Sequence, residues 1–224
     1  MCERYSLTSE LSELMKRYQV RSNKGMYARR FNISPTQNVA VIAENREERY
    51  LQEFRWGLYP FWAKDSINAD CRKIHDKPIF ERLLKKQRCI IPCSGFYAWK
   101  TQGKIRQPMH VVLRNREVFA FAGMYDVWIT PQGEEVRTCT ILTTKPNAVV
   151  SAYQDRMPVI LQEKDIDAWL SPEYTNTASL EWMLQPTGEH LMETYPVTTL
   201  VNNTEHEQPD CVEVYPSGWA LIKE

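Results

Sequence analysis

The chain begins MCERYSLTSE, with a cysteine directly behind the initiator methionine and charged residues after it. A small residue at position 2 permits removal of that methionine, and Cys2 then carries a free α-amine beside its thiol. Such a 1,2-aminothiol captures an aldehyde in two steps: the amine forms a Schiff base, and the thiol adds to the imine carbon to close a five-membered thiazolidine. An internal cysteine has no amine and cannot make this ring. Unperturbed pKa values of about 8 for the amine and about 8.5 for the thiol leave a usable minority of each nucleophile at neutral pH. A cysteine at position 2 is equally compatible with an inert residue, so its meaning depends on the rest of the chain.

Five more cysteines follow, Cys71, Cys89, Cys93, Cys139 and Cys211. Their density is below that of a disulfide scaffold, and in a reducing compartment they read as free thiols, most of them small core residues. Cys89 and Cys93 in RCIIPCSGF form a close pair, but no second pair and no nearby histidine accompany it. The structural reading is preferred there, and no metal or other cofactor is expected. His75, His110, His190 and His206 read as surface residues.

The elements that must position these groups are mostly strands. NVAVIAE, RYLQEFRWGL, RCIIPCSGFYAW, MHVVLRN, EVFAFAGMYDVWI, RTCTILTT and MPVIL are short, rich in β-branched and aromatic residues, and bounded by turn formers. TSELSELMKRY repeats apolar residues at helical spacing (Leu11, Leu14, Met15, Tyr18), with Thr8 or Ser9 as N-cap and Glu10 in the first turn. KPIFERLLKKQ, EKDIDAWL and SLEWMLQ also read as helices. Strands outnumber helices without alternating with them, which gives an α+β fold with mainly antiparallel strands, barrel-like or in mixed sheets.

At 224 residues and 43% hydrophobic composition, with no repeat or linker to divide it, the chain reads as one domain over 1–224. No apolar run approaches the roughly 20 residues that span a bilayer, and Glu3 and Arg4 stand where a secretory signal would be hydrophobic. The expectation is a cytoplasmic protein with no membrane association and no obligate protein partner. Lysine plus arginine equals aspartate plus glutamate at 28 each, so any nucleic-acid surface must be local.

Read together, MCxR, FNISPTQN, FRWGLYPFWAKD, INADCR, RCIIPCSGFYAWK, FAFAGMYDVW, ILTTKPN, DRMPVIL and PVTTLVNN run in order along nearly the whole chain. In this order they resemble the SOS-response-associated peptidase (SRAP) family. The resemblance implies abasic-site sensing, in which the terminal cysteine forms a thiazolidine with the ring-opened sugar of an abasic site in single-stranded DNA. It makes Cys2 the reacting residue and Asn68 part of the site, with Arg4, Asn32, Pro35, Trp62, Arg72 and Arg156 facing DNA. An arginine on phosphate and an indole under a base are the elements of single-strand binding.

The chain also departs from the family. Where the family's GFYEW segment carries a glutamate placed for proton transfer, this sequence has Ala98. Where its HDRMP segment begins with a histidine credited with Schiff-base chemistry, it has Gln154, which does not titrate near neutral pH. Losing a general acid or base commonly costs a factor of about 10² to 10⁴. The family's Asn-Ala-Arg triplet falls on Asn68, Ala69 and Asp70 if spacing is kept, or on Asp70, Cys71 and Arg72 if two residues are lost afterwards. The second alignment is preferred because the other DNA-facing residues remain. Glu3, where the family usually has glycine, adds negative charge beside Cys2.

Three functions follow as alternatives: an abasic-site protein that crosslinks slowly through Cys2, a degenerate paralogue that binds DNA or another ligand without chemistry, and a thiol peptidase with Cys2 as nucleophile. The third needs a base that Gln154 does not supply.

Overall fold

Runs of β-branched and aromatic residues between turn formers become fourteen strands in a computed structural model that describes residues 2–46, 48–59, 66–103, 105–174 and 176–215. The first seven are β1 (Tyr5–Leu7), β2 (Ser22–Asn23), β3 (Arg30–Ile33), β4 (Asn38–Glu44), β5 (Arg49–Trp56), β6 (Asn68–Asp70) and β7 (Arg88–Cys93). The others are β8 (Gly95–Gln102), β9 (Ile105–Leu113), β10 (Phe119–Ile129), β11 (Glu135–Thr144), β12 (Met157–Pro158), β13 (Ile160–Leu161) and β14 (Met192–Pro196). Helices α1 (Leu11–Arg17), α2 (Pro78–Lys86), α3 (Ala148–Ser151) and α4 (Ile166–Leu170) are interspersed with 3-10 turns.

Five strands close on themselves. β4 pairs β5 and β7, β10 pairs β7 and β11, and β11 returns to β5 through Thr138↔Arg55 and Cys139↔Trp56. Closure removes the exposed edges that a flat sheet would carry. A second, wholly antiparallel sheet runs β14-β9-β8-β1-β3. Among the described residues, parallel pairing is confined to β2–β5, β5–β11 and β6–β11. The α+β, mainly antiparallel expectation therefore matches the fold. RCIIPCSGFYAW is two strands, because the chain passes from the ring to the second sheet at Ser94.

Tyr5 joins the two layers. It is fully buried and meets Trp56 of β5 and Phe121 of β10 edge-on, with ring centroids 5.4 and 5.8 Å apart. Such pairs add about 0.5–1.5 kcal/mol each beyond burial. Trp56 is thus a core residue. So are Cys89, Cys93, Cys139 and Cys211, while Cys71 is half-buried.

α1 starts later than expected: Glu10 holds the N-cap position without a side-chain bond, and Thr8 instead gives its backbone N–H to Ser94 Oγ at 2.9 Å. SLEWMLQ lies in a 3-10 helix, Thr177–Leu184, whose buried Thr177, Leu180 and Met183 recur every three residues, the period of the tighter helix. Arg88, almost completely buried, donates to the carbonyls of Leu84, Trp169 and Ser171 at 2.6 Å each and so ties the ends of α2 and α4 to β7. Among the described residues no helix is long and apolar enough to cross a membrane.

His110 corrects the surface assignment. It is 3% exposed on β9, with Nε2 3.0 Å from Ser6 Oγ and Nδ1 2.8 Å from the Tyr195 hydroxyl, which links β1, β9 and β14. A Cβ at Gly95 would collide with its ring, so the glycine makes the space. Burial pulls the imidazole pKa down to about 3. The unfolded chain, with histidine near 6.5, takes up a proton that the folded chain refuses, so stability falls as pH drops below about 6.5. Urea unfolding between pH 6 and 4.5 should show this loss with a slope approaching about 1.4 kcal/mol per pH unit, and His110→Asn should flatten it. An equal slope in the variant would mean that His110 does not carry the effect.

Candidate functional site

Strand β1 carries the N-terminus into the contact between the two layers. Beyond the register Tyr5↔Phe96, Tyr97 N donates to the Arg4 carbonyl at 3.0 Å, and Cys2 Sγ lies 3.9 Å from the same oxygen. Asn68 reaches Cys2 from the ring, donating Nδ2 to the Cys2 carbonyl at 2.6 Å. Its position follows from β6, which pairs with β11 through Ile141↔Asn68, Leu142↔Ala69 and Thr143↔Asp70. Asn68 is fully buried, and its Oδ1 has no hydrogen-bond partner among the described residues. An unmet buried acceptor beside a candidate nucleophile is a place where a ligand or a water completes the structure.

Aldehyde chemistry calls for an accessible aminothiol, and here the structure differs. Cys2 is fully buried, and loss of solvent pushes its thiol up to about 12. Ala98 is buried on β8 opposite Met109 and offers a methyl group where proton transfer is wanted. Gln154 follows α3, its backbone N–H bonded to Val150 O at 3.1 Å, and its Nε2 is a buried donor with no partner among the described residues.

The end of β11 brings the next group together. β12 pairs with it through Thr143↔Pro158 and Thr144↔Met157, which sets Arg156 near Asp70 of β6 at 3.7 Å. Arg72 folds back to hold the same carboxylate with two bonds, Nε to Oδ1 at 2.9 Å and Nη2 to Oδ2 at 2.6 Å. The Arg72 bonds hold the Asp70 carboxyl below its ordinary pKa. Asn68, Ala69 and Asp70 form the strand, and Asn68 is the member that meets Cys2. Arg72 lies in the following 3-10 turn, Cys71–Asp76.

Arg4 and Asn32 are interior residues, which corrects their expected place at a DNA-facing surface. Arg4 Nη1 donates to Asn32 Oδ1 at 2.8 Å and to Val201 O at 2.7 Å, and desolvation lowers the pKa of its guanidinium. Asn32 Nδ2 donates to the carbonyls of Asn203 and His206 at 2.9 and 2.8 Å. The Glu207 carboxylate accepts from the backbone of Phe31 and Asn32 and pairs with Arg30. Together these bonds strap residues 199–211 across β3. On that strap His206, Asp210 and Cys211 bring three potential metal-ligating atoms within 4.8 Å of one another, but His206 Nε2 is bonded to Asp210 and the Cys211 thiol to the His206 carbonyl.

Pro35 is half-buried in the turn before β4, next to Thr36, whose φ of 72° is unusual for a β-branched residue and is held by Thr36 N donating to Trp56 O. Trp62 lies outside the described residues. Arg106 was not among the expected site residues; it stands 3.8 Å from the Glu3 carboxylate with its guanidinium over the Trp99 ring, so the charge beside Cys2 is countered. The hairpin that pairs β9 with β8, the neighbour of β1, was the signal that could have found it. A groove of about 330 Å³ lined by Cys71, Arg72, His75, Lys145 and Glu181 lies beside the Asp70 cluster. A second cavity of about 250 Å³, lined by Arg17, Tyr18 and Trp182, meets the groove at Gln185.

The sequence profile described as SOS response associated peptidase (SRAP) matches residues 1–204. The chain belongs to the SRAP family. It is 39% identical to the abasic site processing protein YoqW of Bacillus subtilis, over 95% of this chain and 99% of that one. It is 27% identical to the abasic site processing protein HMCES of Gallus gallus, over 84% of this chain and 67% of that one. A crystal structure of a Bacteroides thetaiotaomicron protein has 25% identity and superposes with a TM-score of 0.85, covering 96% of this chain and all of the other. This SRAP chain thus keeps Cys2 and Asn68 in contact, whereas alanine and glutamine stand at 98 and 154.

The strap gives Arg4 a role that can be separated from phosphate binding. Arg4→Ala would strand Asn32 Oδ1 and leave the Val201 carbonyl only its 3.3 Å bond from Asn32 Nδ2, and should destabilise the fold by about 2–4 kcal/mol in chemical denaturation. An exposed phosphate ligand would leave stability within about 0.5 kcal/mol of the parent.

Proposed function

We propose that this SRAP protein processes abasic sites in single-stranded DNA, with Cys2 forming a thiazolidine on the ring-opened sugar after Met1 is removed. The observation that carries the reading is the bond from Asn68 to the Cys2 carbonyl. It fixes the backbone of the residue that would become the terminus, and with it the direction of the new amine. The abasic-site relatives and the family match support the substrate class.

In the reaction the Cys2 amine attacks the sugar aldehyde carbon, and the resulting carbinolamine loses water to give an imine. The thiol then adds to the imine carbon, and its proton passes to nitrogen. Aldehyde and aminothiol thus give thiazolidine and one water, with no oxidant. Asn68 is a positioning residue, and its unpaired Oδ1 is an acceptor for the amine or for the carbinolamine hydroxyl. Alignment contributes without acid–base help, whereas Ala98 and Gln154 leave the proton transfers to solvent, so the reaction is slow.

A second reading, DNA binding without chemistry, is favoured by the enclosure of Cys2. The two separate on one experiment. Methionine-processed protein, verified by intact mass, is incubated with single-stranded DNA carrying an abasic site. A heat-stable adduct that disappears in Cys2→Ala is expected, and Gln154→His should raise its rate of formation by about tenfold or more. Binding without an adduct would favour the second reading. An adduct that persists in Cys2→Ala, or retention of Met1, would rule out the thiazolidine.

A further inference from the structure

Arg72 and Arg156 converge on one group, and that group belongs to the protein itself. Asp70 is almost enclosed at 8% exposure, whereas the Arg72 side chain is 54% exposed and the Arg156 side chain 16%. We infer that Arg72 and Arg156 form a phosphate seat that Asp70 fills as an internal counter-ion, so that single-stranded DNA reaches these donors only by drawing the arginines off the carboxylate. The inference rests on the proposed function, in which this face meets single-stranded DNA.

The geometry decides which partner moves. Asp70 Oδ1 also accepts from the backbone N–H of Arg72 at 3.1 Å, which caps the 3-10 turn and fixes the carboxylate to the end of β6. A fork of two charge-assisted bonds is the arrangement by which a guanidinium also binds a phosphate. Carboxylate and phosphodiester therefore compete for the same donors. Being more than half exposed, the Arg72 side chain can swing away while Asp70 stays in place. The groove beside it is lined by Lys145 as well as Arg72, while Glu181 on the same wall is paired with His75 at 3.3 Å, so Lys145 is the further cation a strand bound there would meet. The ion pair thus lowers DNA affinity without removing the residues that would bind.

Asp70→Asn tests this with little risk to the fold, since an asparagine Oδ1 can accept from the same Arg72 N–H and caps as well as aspartate. Asp70→Ser, which also caps, serves as the second variant, and thermal melting confirms that both are folded. All proteins carry Cys2→Ala and are titrated with undamaged oligothymidylate, so the chemistry plays no part. Asp70→Asn should bind about tenfold more tightly at low salt. Its log–log salt dependence should steepen by about 0.7 for each additional phosphate neutralised, or about 1.4 for two. Adding Arg72→Gln should return affinity most of the way to the parent value.

Affinity and salt slope unchanged in both Asp70 variants would overturn the inference, as would a failure of parent and variants alike to bind the oligonucleotide. An adduct at abasic DNA with no tighter binding by Asp70→Asn sinks this inference alone. Tighter binding without any adduct sinks only the crosslinking.

Discussion

Capture of the first backbone carbonyls by both layers of the fold is the constraint on which the rest of the site depends. The second sheet holds the Arg4 carbonyl through Tyr97 N, and the ring holds the Cys2 carbonyl through Asn68. Neither bond is available to a frayed terminus. Tyr5, edge-on to Trp56 and Phe121, supplies the apolar anchor between them. Residues that usually fray are therefore built into the core, and chemistry at a chain end becomes compatible with a defined geometry. The strap over residues 199–211 completes the arrangement, because Arg4 and Asn32 satisfy its carbonyls from beneath.

Charge around this terminus is locally balanced. Glu3 faces Arg106, Asp70 faces Arg72 and Arg156, and Glu207 faces Arg30. A chain with equal acidic and basic totals could still have concentrated its arginines on one unopposed surface, but here these named arginines meet carboxylates. The Asp70 cluster differs from the Glu3–Arg106 pair in its burial. Glu3 and Arg106 are about half exposed and screened, so their attraction is weak. Asp70 is nearly enclosed and doubly bonded by Arg72, and that pairing has to be broken before a ligand can use those donors.

Long elements were legible in the sequence because their patterns are local. β4, β5, β10 and β11 carry seven or more residues of strand-forming composition, and α1 and α2 show helical spacing. The three-residue strands β1 and β6 escaped notice, since pairing with distant partners defines them, and these two position Cys2 and Asn68. His110 was misplaced for a related reason, and the burial of Arg4 and Asn32, which the family resemblance turned toward DNA, was hidden by the same one. A polar side chain reads as a surface residue unless its partner is known, and the Arg4 and Asn32 partners include backbone carbonyls around residues 201–206, which no residue type announces.

The enclosure of Cys2 and the absence of acid–base groups both slow the chemistry. Burial raises the Cys2 thiol to about 12 and so depletes thiolate at neutral pH. Each missing general acid or base commonly costs about 10² to 10⁴. The two handicaps differ in kind. Ala98 cannot acquire a proton-transfer group, whereas burial is a property of one conformation. Any opening that readmits water to Cys2 restores the ordinary thiol and exposes the amine in the same motion, because both groups belong to one residue. Reactivity is therefore governed first by how the N-terminus is uncovered, and only then by what Ala98 and Gln154 fail to provide.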